Sequence, residues 1–260
     1  MPAIPFALQL YSIRNLAKKD ICEAIRKTAS WGYQGVEFAG FHGVSPAELK
    51  KLLDDLGLGV AGSHVGLDAM EGDQLQKTVE EHLAVGCTNL LVPWIDEPMR
   101  DSEDACKKTA ERFAAVADAV KKHGCRAGYH NHWFEFTPFA NGKTCWQMIG
   151  EGTPAEFIMQ YDTGNGQAGG QDPVKVLGQF PGRGHTLHLK EYVGKPGENG
   201  PEGLGKAVVG KGGTDWAAVL KAAKEVSKAS WLIVEQEGHE TLDELEAAKQ
   251  CAENIKAMPG

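Results

Sequence analysis

The chain has 260 residues, with 35 acidic side chains against 27 basic ones and a formal net charge of −8. With 42% hydrophobic and 24% charged residues it can bury a core, which excludes a disordered chain, and its acidic balance argues against a nucleic-acid partner, which selects for a basic face. No run reaches the roughly 18 apolar residues of a membrane span, and the opening Met1-Pro2-Ala3-Ile4-Pro5-Phe6 lacks the basic start of a signal peptide, so neither a membrane segment nor a leader is expected.

The first apolar run, residues 4–11, reads as a buried strand. Residues 20–31 carry a helical stripe of Ile21, Ala24, Ile25 and Ala29, with Asp20 and Glu23 placed as a capping box. A strand over 35–38 follows. Ser45-Pro46-Ala47-Glu48 then starts a helix that Gly57 stops. The pattern continues with strands over 59–64, 89–93, 125–129, 157–161, 185–189 and 231–234. Helices are expected over 73–85, 102–123 and 144–149, from Asp172-Pro173 to about 180, over 216–226 after Asp215, and from Thr241 onward. Eight strands alternating with about eight helices mean parallel strands and right-handed crossovers. That predicts an α/β fold, a single-domain (β/α)8 TIM barrel over residues 1–260, with an open doubly wound sheet as the competitor. A glycine-rich segment over 193–214 lies between a strand and a helix and reads as a lid loop.

In a barrel the chemistry gathers where strands end. The residues there are Tyr11, Glu37, His64, Trp94, His130, Asp162, His188 and Glu235. Each alone has a plainer reading: a solvated carboxylate, a hydrogen-bonded histidine, a tryptophan covering the core. A polar or aromatic group at the end of every strand is not a pattern that stability requires. His130, Asp162, His188 and Glu235 are the expected ligands of one divalent metal ion. Imidazole and carboxylate donors suit Mn²⁺, Zn²⁺, Co²⁺ or Mg²⁺. On the fifth strand His132 and Glu135 are alternatives to His130.

Four segments, in this order, carry a resemblance: Tyr129-His130-Asn131-His132-Trp133-Phe134-Glu135-Phe136, Tyr161-Asp162-Thr163-Gly164-Asn165, His188-Leu189-Lys190-Glu191 and Val234-Glu235-Gln236-Glu237. They look like the sugar phosphate isomerase/epimerase family of the xylose isomerase-like TIM-barrel superfamily. The likeness covers nearly the whole chain, including Gln9-Leu10-Tyr11-Ser12 and Gly35-Val36-Glu37. It implies a metal at the barrel rim and proton abstraction next to a carbonyl of a sugar or keto-sugar, through a metal-stabilised enediolate. In family members that are ketose epimerases the ligands are Glu, Asp, His and Glu from strands five to eight. Asp162, His188 and Glu235 match the last three, and His130 stands where the first glutamate is expected. Glu235 is then one catalytic base, Glu135 the candidate for the other, and Lys190 a candidate oxyanion stabiliser. Glu37, His64, Trp94 and His132 are expected substrate contacts, and Glu237 an outer partner. The His-rich fifth strand resembles the inosose dehydratases, so a keto-sugar or cyclitol lyase is the alternative. A non-catalytic sugar-binding barrel is a further one. No Arg/Lys cluster marks a phosphate site, which favours an unphosphorylated substrate.

Other signals are weaker. Gly164-Asn165-Gly166-Gln167-Ala168-Gly169 satisfies G-x-G-x-x-G, but it lies late in the chain and the next helix is expected only at Asp172-Pro173. Residues 205–211 look like a phosphate-binding loop, but Gly212 occupies the Ser/Thr position. A multi-zinc nuclease would need more ligands than nine histidines supply here, and a basic face. Cys22, Cys87, Cys106, Cys125, Cys145 and Cys251 form no C-x-x-C and read as free thiols in a reducing, cytoplasmic setting. Self-association into a homo-oligomer is left open.

Overall fold

The structure is a computed structural model that describes residues 4–258; the outermost residues of the expected domain lie outside that range. Its strands are β1 (Phe6–Gln9), β2 (Gly35–Phe38), β3 (Gly59–His64), β4 (Asn89–Val92), β5 (Arg126–His130), β6 (Ile158–Gln160), β7 (Thr186–Leu189) and β8 (Trp231–Val234). All paired strands are parallel, and the sheet runs β6-β5-β4-β3-β2-β1-β8-β7. The two ends of that order meet. An isolated parallel bridge joins Asp162 to His188, and the amides of Met159 and His188 donate to the carbonyls of Arg183 and Tyr161 at 2.9 Å each. The sheet is therefore a nearly closed barrel, and the molecule is a single-domain (β/α)8 TIM barrel.

The helices are α1 (Arg14–Lys19), α2 (Ile21–Ser30), α3 (Pro46–Leu56), α4 (Gln74–Ala84), α5 (Glu103–Lys121), α6 (Cys145–Gly152), α7 (Thr163–Ala168), α8 (Pro173–Leu177), α9 (Trp216–Ala222) and α10 (Glu244–Ala257). Several start where the sequence places a cap. The side chains of Asp20, Ser45 and Thr144 each accept from the amide three residues on, and Gly57 closes α3 with φ 66°. The last helix begins at Glu244 under an Asp243 cap rather than at Thr241.

Three features differ from the sequence reading. The first strand stops at Gln9, whose side chain accepts from the Tyr11 amide, turns the chain into a 3-10 segment and leads into α1. The G-x-G-x-x-G stretch is itself a helix, α7, that opens directly after β6. Asp162 caps it, and its glycines admit close neighbours: a Cβ on Gly166 would strike the Tyr161 ring. Cys106 and Cys145 are paired in a disulfide joining α5 to α6, with Cα atoms 5.6 Å apart, whereas the other four cysteines are free. Two cysteines 39 positions apart carry no spacing signal, so only the packing of α5 on α6 brings them together.

Strand side chains alternate between faces, so one strand feeds the barrel axis at every second residue. At one end of the axis Ala7, Ala61 and Ile233 form a small apolar plug with Trp231. Gly35 and Gly59 leave room for the Trp231 ring, which a Cβ on either would meet at 2.8–2.9 Å. Two residues further along β1 and β8, the same faces carry Gln9 and Glu235. The axis thus changes from apolar to polar as it approaches the strand C-termini. Among the described residues no helix is long and apolar enough to cross a membrane.

Candidate metal centre and active site

Period-two alternation sets the site. His130 ends β5 and His132 continues it, Gln160 ends β6 and Asp162 continues it, Thr186 and His188 lie on β7 with Lys190 just beyond, and Glu235 and Glu237 follow β8. The donor atoms of His130, Asp162, His188 and Glu235 all lie within 4.8 Å of one another, and all four residues are buried. Glu235 Oε2 is 3.4 Å from His188 Nδ1 and 3.7 Å from His130 Nε2, and Asp162 Oδ2 is 3.8 Å from His188 Nδ1. Asp162 Oδ2 is buried and makes no hydrogen bond, with the Lys190 ammonium 3.3 Å away, so its charge is met by a neighbouring cation alone. Its other oxygen accepts from the Asn165 amide at 2.7 Å, so one end of the carboxylate is fixed by a hydrogen bond and the other meets only charge. Two imidazoles and two carboxylates, one of them with an oxygen free of hydrogen bonds, fit a divalent metal ion.

Asn131 aligns the fifth and sixth strands. Its Oδ1 accepts from the Asp162 amide at 2.8 Å, and its carbonyl accepts from Asn165 Nδ2 at 3.0 Å. Opposite this latch, Glu37 on β2 lies wholly inside the barrel. Its Oε2 is 2.6 Å from His188 Nε2, 3.2 Å from His64 Nε2 and 2.7 Å from Gln9 Nε2, and its Oε1 accepts from Gln160 Nε2 at 2.8 Å. Glu37 therefore does not line the cavity as a substrate contact. It fixes the His188 ring, so that Nδ1 points into the donor cluster. Burial opposes its charge, but the neighbouring His64 and His188 hold its carboxyl below the usual range. Glu37→Gln is expected to weaken divalent-ion binding about 10- to 100-fold, the usual cost of losing a ligand's outer partner, in a competition titration with a chelating dye.

The charges of the cluster depend on one another. Burial works against a charged His188, yet Glu37 and Glu235 lift it to about 10. Burial pushes the Asp162 carboxyl up to about 6, with Lys190 opposing. Burial also disfavours charge on Glu235, but Lys190 and His188 hold it well below the carboxylate range. His130 is held far below its ordinary value by burial and by His188 beside it, which favours the neutral ring.

Above the cluster is a cavity of about 430 Å³, lined among others by Tyr11, His64, Trp94, His130, His132 and Glu235. Trp94 is 48% exposed and Tyr11 41%, as rim residues. Trp94 meets the His132 ring edge-on at 4.7 Å, His132 stacks on Phe134 at 5.3 Å, and the Arg100 guanidinium sits 3.6 Å above Phe134. Burial pushes His132 down to about 3, so it faces the cavity as a neutral imidazole. Strand order puts this aromatic wall, which follows β4 and β5, across the barrel from Glu235 and Glu237 after β8.

Of the expected site residues, the structure gathers His130, Asp162, His188, Glu235 and Lys190 into one cluster and sets His64, Trp94 and His132 around the cavity. It does not bring Glu135 there. A 3-10 turn over Phe134–Phe136 carries Glu135 into the protein, where it accepts from the Tyr129 hydroxyl and, at 2.8 Å, from the His132 amide. Burial pushes its carboxyl up to about 7. None of the residues of the 193–214 loop lines the cavity either. Glu191 anchors that loop by accepting from the Gly210 amide at 2.7 Å and Trp216 Nε1 at 2.8 Å. Sequence reasoning missed Gln9, Gln160 and Asn165. The signal for the two glutamines was available: a polar residue inside an otherwise apolar strand must find a buried partner.

The fold and this donor cluster define a (β/α)8 barrel with its polar chemistry at the strand C-termini. The chain belongs to the xylose isomerase-like TIM barrel family, whose sequence model matches residues 25–258. No functionally curated protein matches it significantly by sequence. Among solved structures it is similar to a sugar phosphate isomerase/epimerase from Parabacteroides distasonis, with 23% identity, a TM-score of 0.83, and coverage of 100% of this chain and 96% of that one. An L-ribulose 3-epimerase superposes with a TM-score of 0.69 at 16% identity, covering 98% and 94% of the two chains. A probable 3-DHS dehydratase from Bacillus anthracis does so with 0.72 at 14% identity, covering 97% and 99%. At these identities the likeness is one of fold.

Proposed function

We propose that this protein is a divalent-metal-dependent enzyme that removes the proton beside a carbonyl of a sugar or keto-sugar and so isomerises or epimerises it. The observation that carries this reading is the donor cluster of His130, Asp162, His188 and Glu235 at the floor of the cavity, with Asp162 Oδ2 making no hydrogen bond. A bound ion would polarise the substrate carbonyl and so acidify the neighbouring C–H. Glu235 lines the cavity with its carboxylate held ionised, and it is the group placed to take that proton. Trp94 and Tyr11 offer flat apolar faces for the carbon skeleton. Among the described residues no arginine or lysine lines the cavity, which suits an uncharged substrate.

One observation favours a second reading, a lyase or dehydratase. Glu135 is turned away from the cavity, and the wall opposite Glu235 is histidine and aromatic. Two-base epimerisation wants a carboxylate on each face of the substrate. Isomerisation on one face, or β-elimination, starts with a single base. Incubating the ion-loaded protein in D₂O with a panel of unphosphorylated ketoses and keto-sugars separates the readings. Deuterium in recovered substrate or in a carbonyl-shifted isomer or epimer is the expected result, and loss of water or of an aglycone would select the lyase. No exchange from any member of the panel would reject the shared proton abstraction. So would a reconstituted protein holding less than about 0.1 equivalent of metal, since a structural cluster of this kind should fill.

A further inference from the structure

Lys190 is buried among the site carboxylates, on which His188 also converges. Its Nζ lies 2.9 Å from Glu235 Oε2, 3.3 Å from Asp162 Oδ2 and 2.6 Å from Glu237 Oε2. The first two carboxylates are ligand candidates with side chains no more than 5% exposed, whereas the side chain of Glu237 is 40% exposed. The three oxygens thus lead from the donor cluster outward toward the cavity, where Glu237 forms part of the lining. The backbone of Lys190 is pinned: Thr163 Oγ1 donates to its carbonyl at 2.8 Å and accepts from its amide at 3.0 Å. Its stem runs over Gly164, where a Cβ would meet Cγ at 2.7 Å. The chain therefore fixes the root of this side chain and clears a path for its stem, and leaves only the ammonium end free to choose among the carboxylates.

We infer that Lys190 is a resident cation that holds Asp162 and Glu235 in the ligand arrangement while the site is free of metal, and that it lets go of both and keeps Glu237 alone when a divalent ion enters. This rests on the metal reading above. Two buried carboxylates facing one another need a positive charge between them, and the ammonium supplies it. A divalent ion at the same oxygens supplies more charge and repels the ammonium. The flexible four-carbon stem and the Glu237 carboxylate give the ammonium somewhere to go. Lys190 thereby keeps the donors arranged and also competes with the ion. Its role toward the ion is that of a positioning residue.

The test is Mn²⁺ affinity and ion-free melting temperature, measured on wild type, Lys190→Met, Glu237→Gln, the double variant and Gly164→Ala. Lys190→Met is expected to bind Mn²⁺ about 10-fold more tightly than wild type while melting lower without metal. Glu237→Gln removes the destination and is expected to bind Mn²⁺ about 10-fold more weakly, a loss that vanishes in the Lys190→Met background. Gly164→Ala crowds the stem and should shift Mn²⁺ affinity without touching a donor. Equal or weaker binding by Lys190→Met overturns the inference, because Lys190 would then be a permanent partner of the loaded site. If Lys190→Met does not fold, unchanged Mn²⁺ affinity in Glu237→Gln overturns it instead. A wild-type protein that takes up no Mn²⁺, Zn²⁺, Co²⁺ or Mg²⁺ would sink the metal reading itself, a result distinct from both.

Discussion

Glu235→Gln is expected to lower the rate of deuterium incorporation from D₂O into a keto-sugar by about 10²- to 10⁴-fold, the span that a positioned general base contributes. The substitution keeps the shape and one acceptor oxygen. It removes the charge that Lys190 and His188 hold in place and the lone pair that receives the proton. Binding of a sugar should survive, because the Trp94 and Tyr11 faces and the histidines of the cavity are untouched. Measured at saturating metal, the variant therefore separates three cases. A catalyst loses exchange and keeps binding. A sugar-binding barrel shows wild-type binding and no exchange to lose. Exchange at the wild-type rate in the variant would assign the base to another residue, with His132 on the facing wall as the first to test.

Asp162 does two jobs with its two oxygens, and substitutions can separate them. Asp162→Asn keeps an oxygen to cap α7 through the Asn165 amide, and Asp162→Ala does not. Both are expected to lose about 100-fold or more in divalent-ion affinity, exceeding the loss of an outer partner. Only the alanine variant should also lose about 1 kcal/mol of folding stability in the ion-free protein, the usual worth of an N-cap. The pH dependence gives a second readout. Burial raises Asp162 from 3.8 to about 6, so this group lends ion-free stability that is full below pH 3.8 and is lost as pH rises through 6. Asparagine removes that slope. Chemical unfolding of the ion-free proteins at pH 4 and pH 7 checks the sign, and a wild-type protein more stable at pH 7 through this residue would refute the assignment of Asp162 as a carboxylate held waiting for a cation.

Much of the barrel was legible because its signals are local. The second and third strands fall at the residues expected, bounded by glycines and turns, and Ser45-Pro46 and Asp20 cap helices as their chemistry dictates. Asp162, His188 and Glu235 were legible because each sits at the end of an apolar run, where alternation turns it toward the axis. The illegible parts depend on packing between distant segments. Nothing in Glu37 itself reveals that it lies beneath His188, 151 positions away. The turn at Trp133 that buries Glu135 and leaves His130 in the cluster follows from how the Tyr129 hydroxyl packs. A helix made of Thr163-Gly164-Asn165-Gly166-Gln167-Ala168 defies helix propensity and stands because Asp162 caps it and Lys190 and Tyr161 lie against its glycines.

Seven of the eight neighbouring strand pairs are laced by ladders, and the eighth, between β6 and β7, by a single bridge whose two residues, Asp162 and His188, both belong to the donor cluster. The two residues whose backbones close the cylinder also supply two of the four candidate donor side chains. An ion bound there would cross-link the joint between β6 and β7 from within, as a rivet does a rolled plate. The chemistry of the site and the mechanical closure of the barrel would then rise and fall together with the supply of metal.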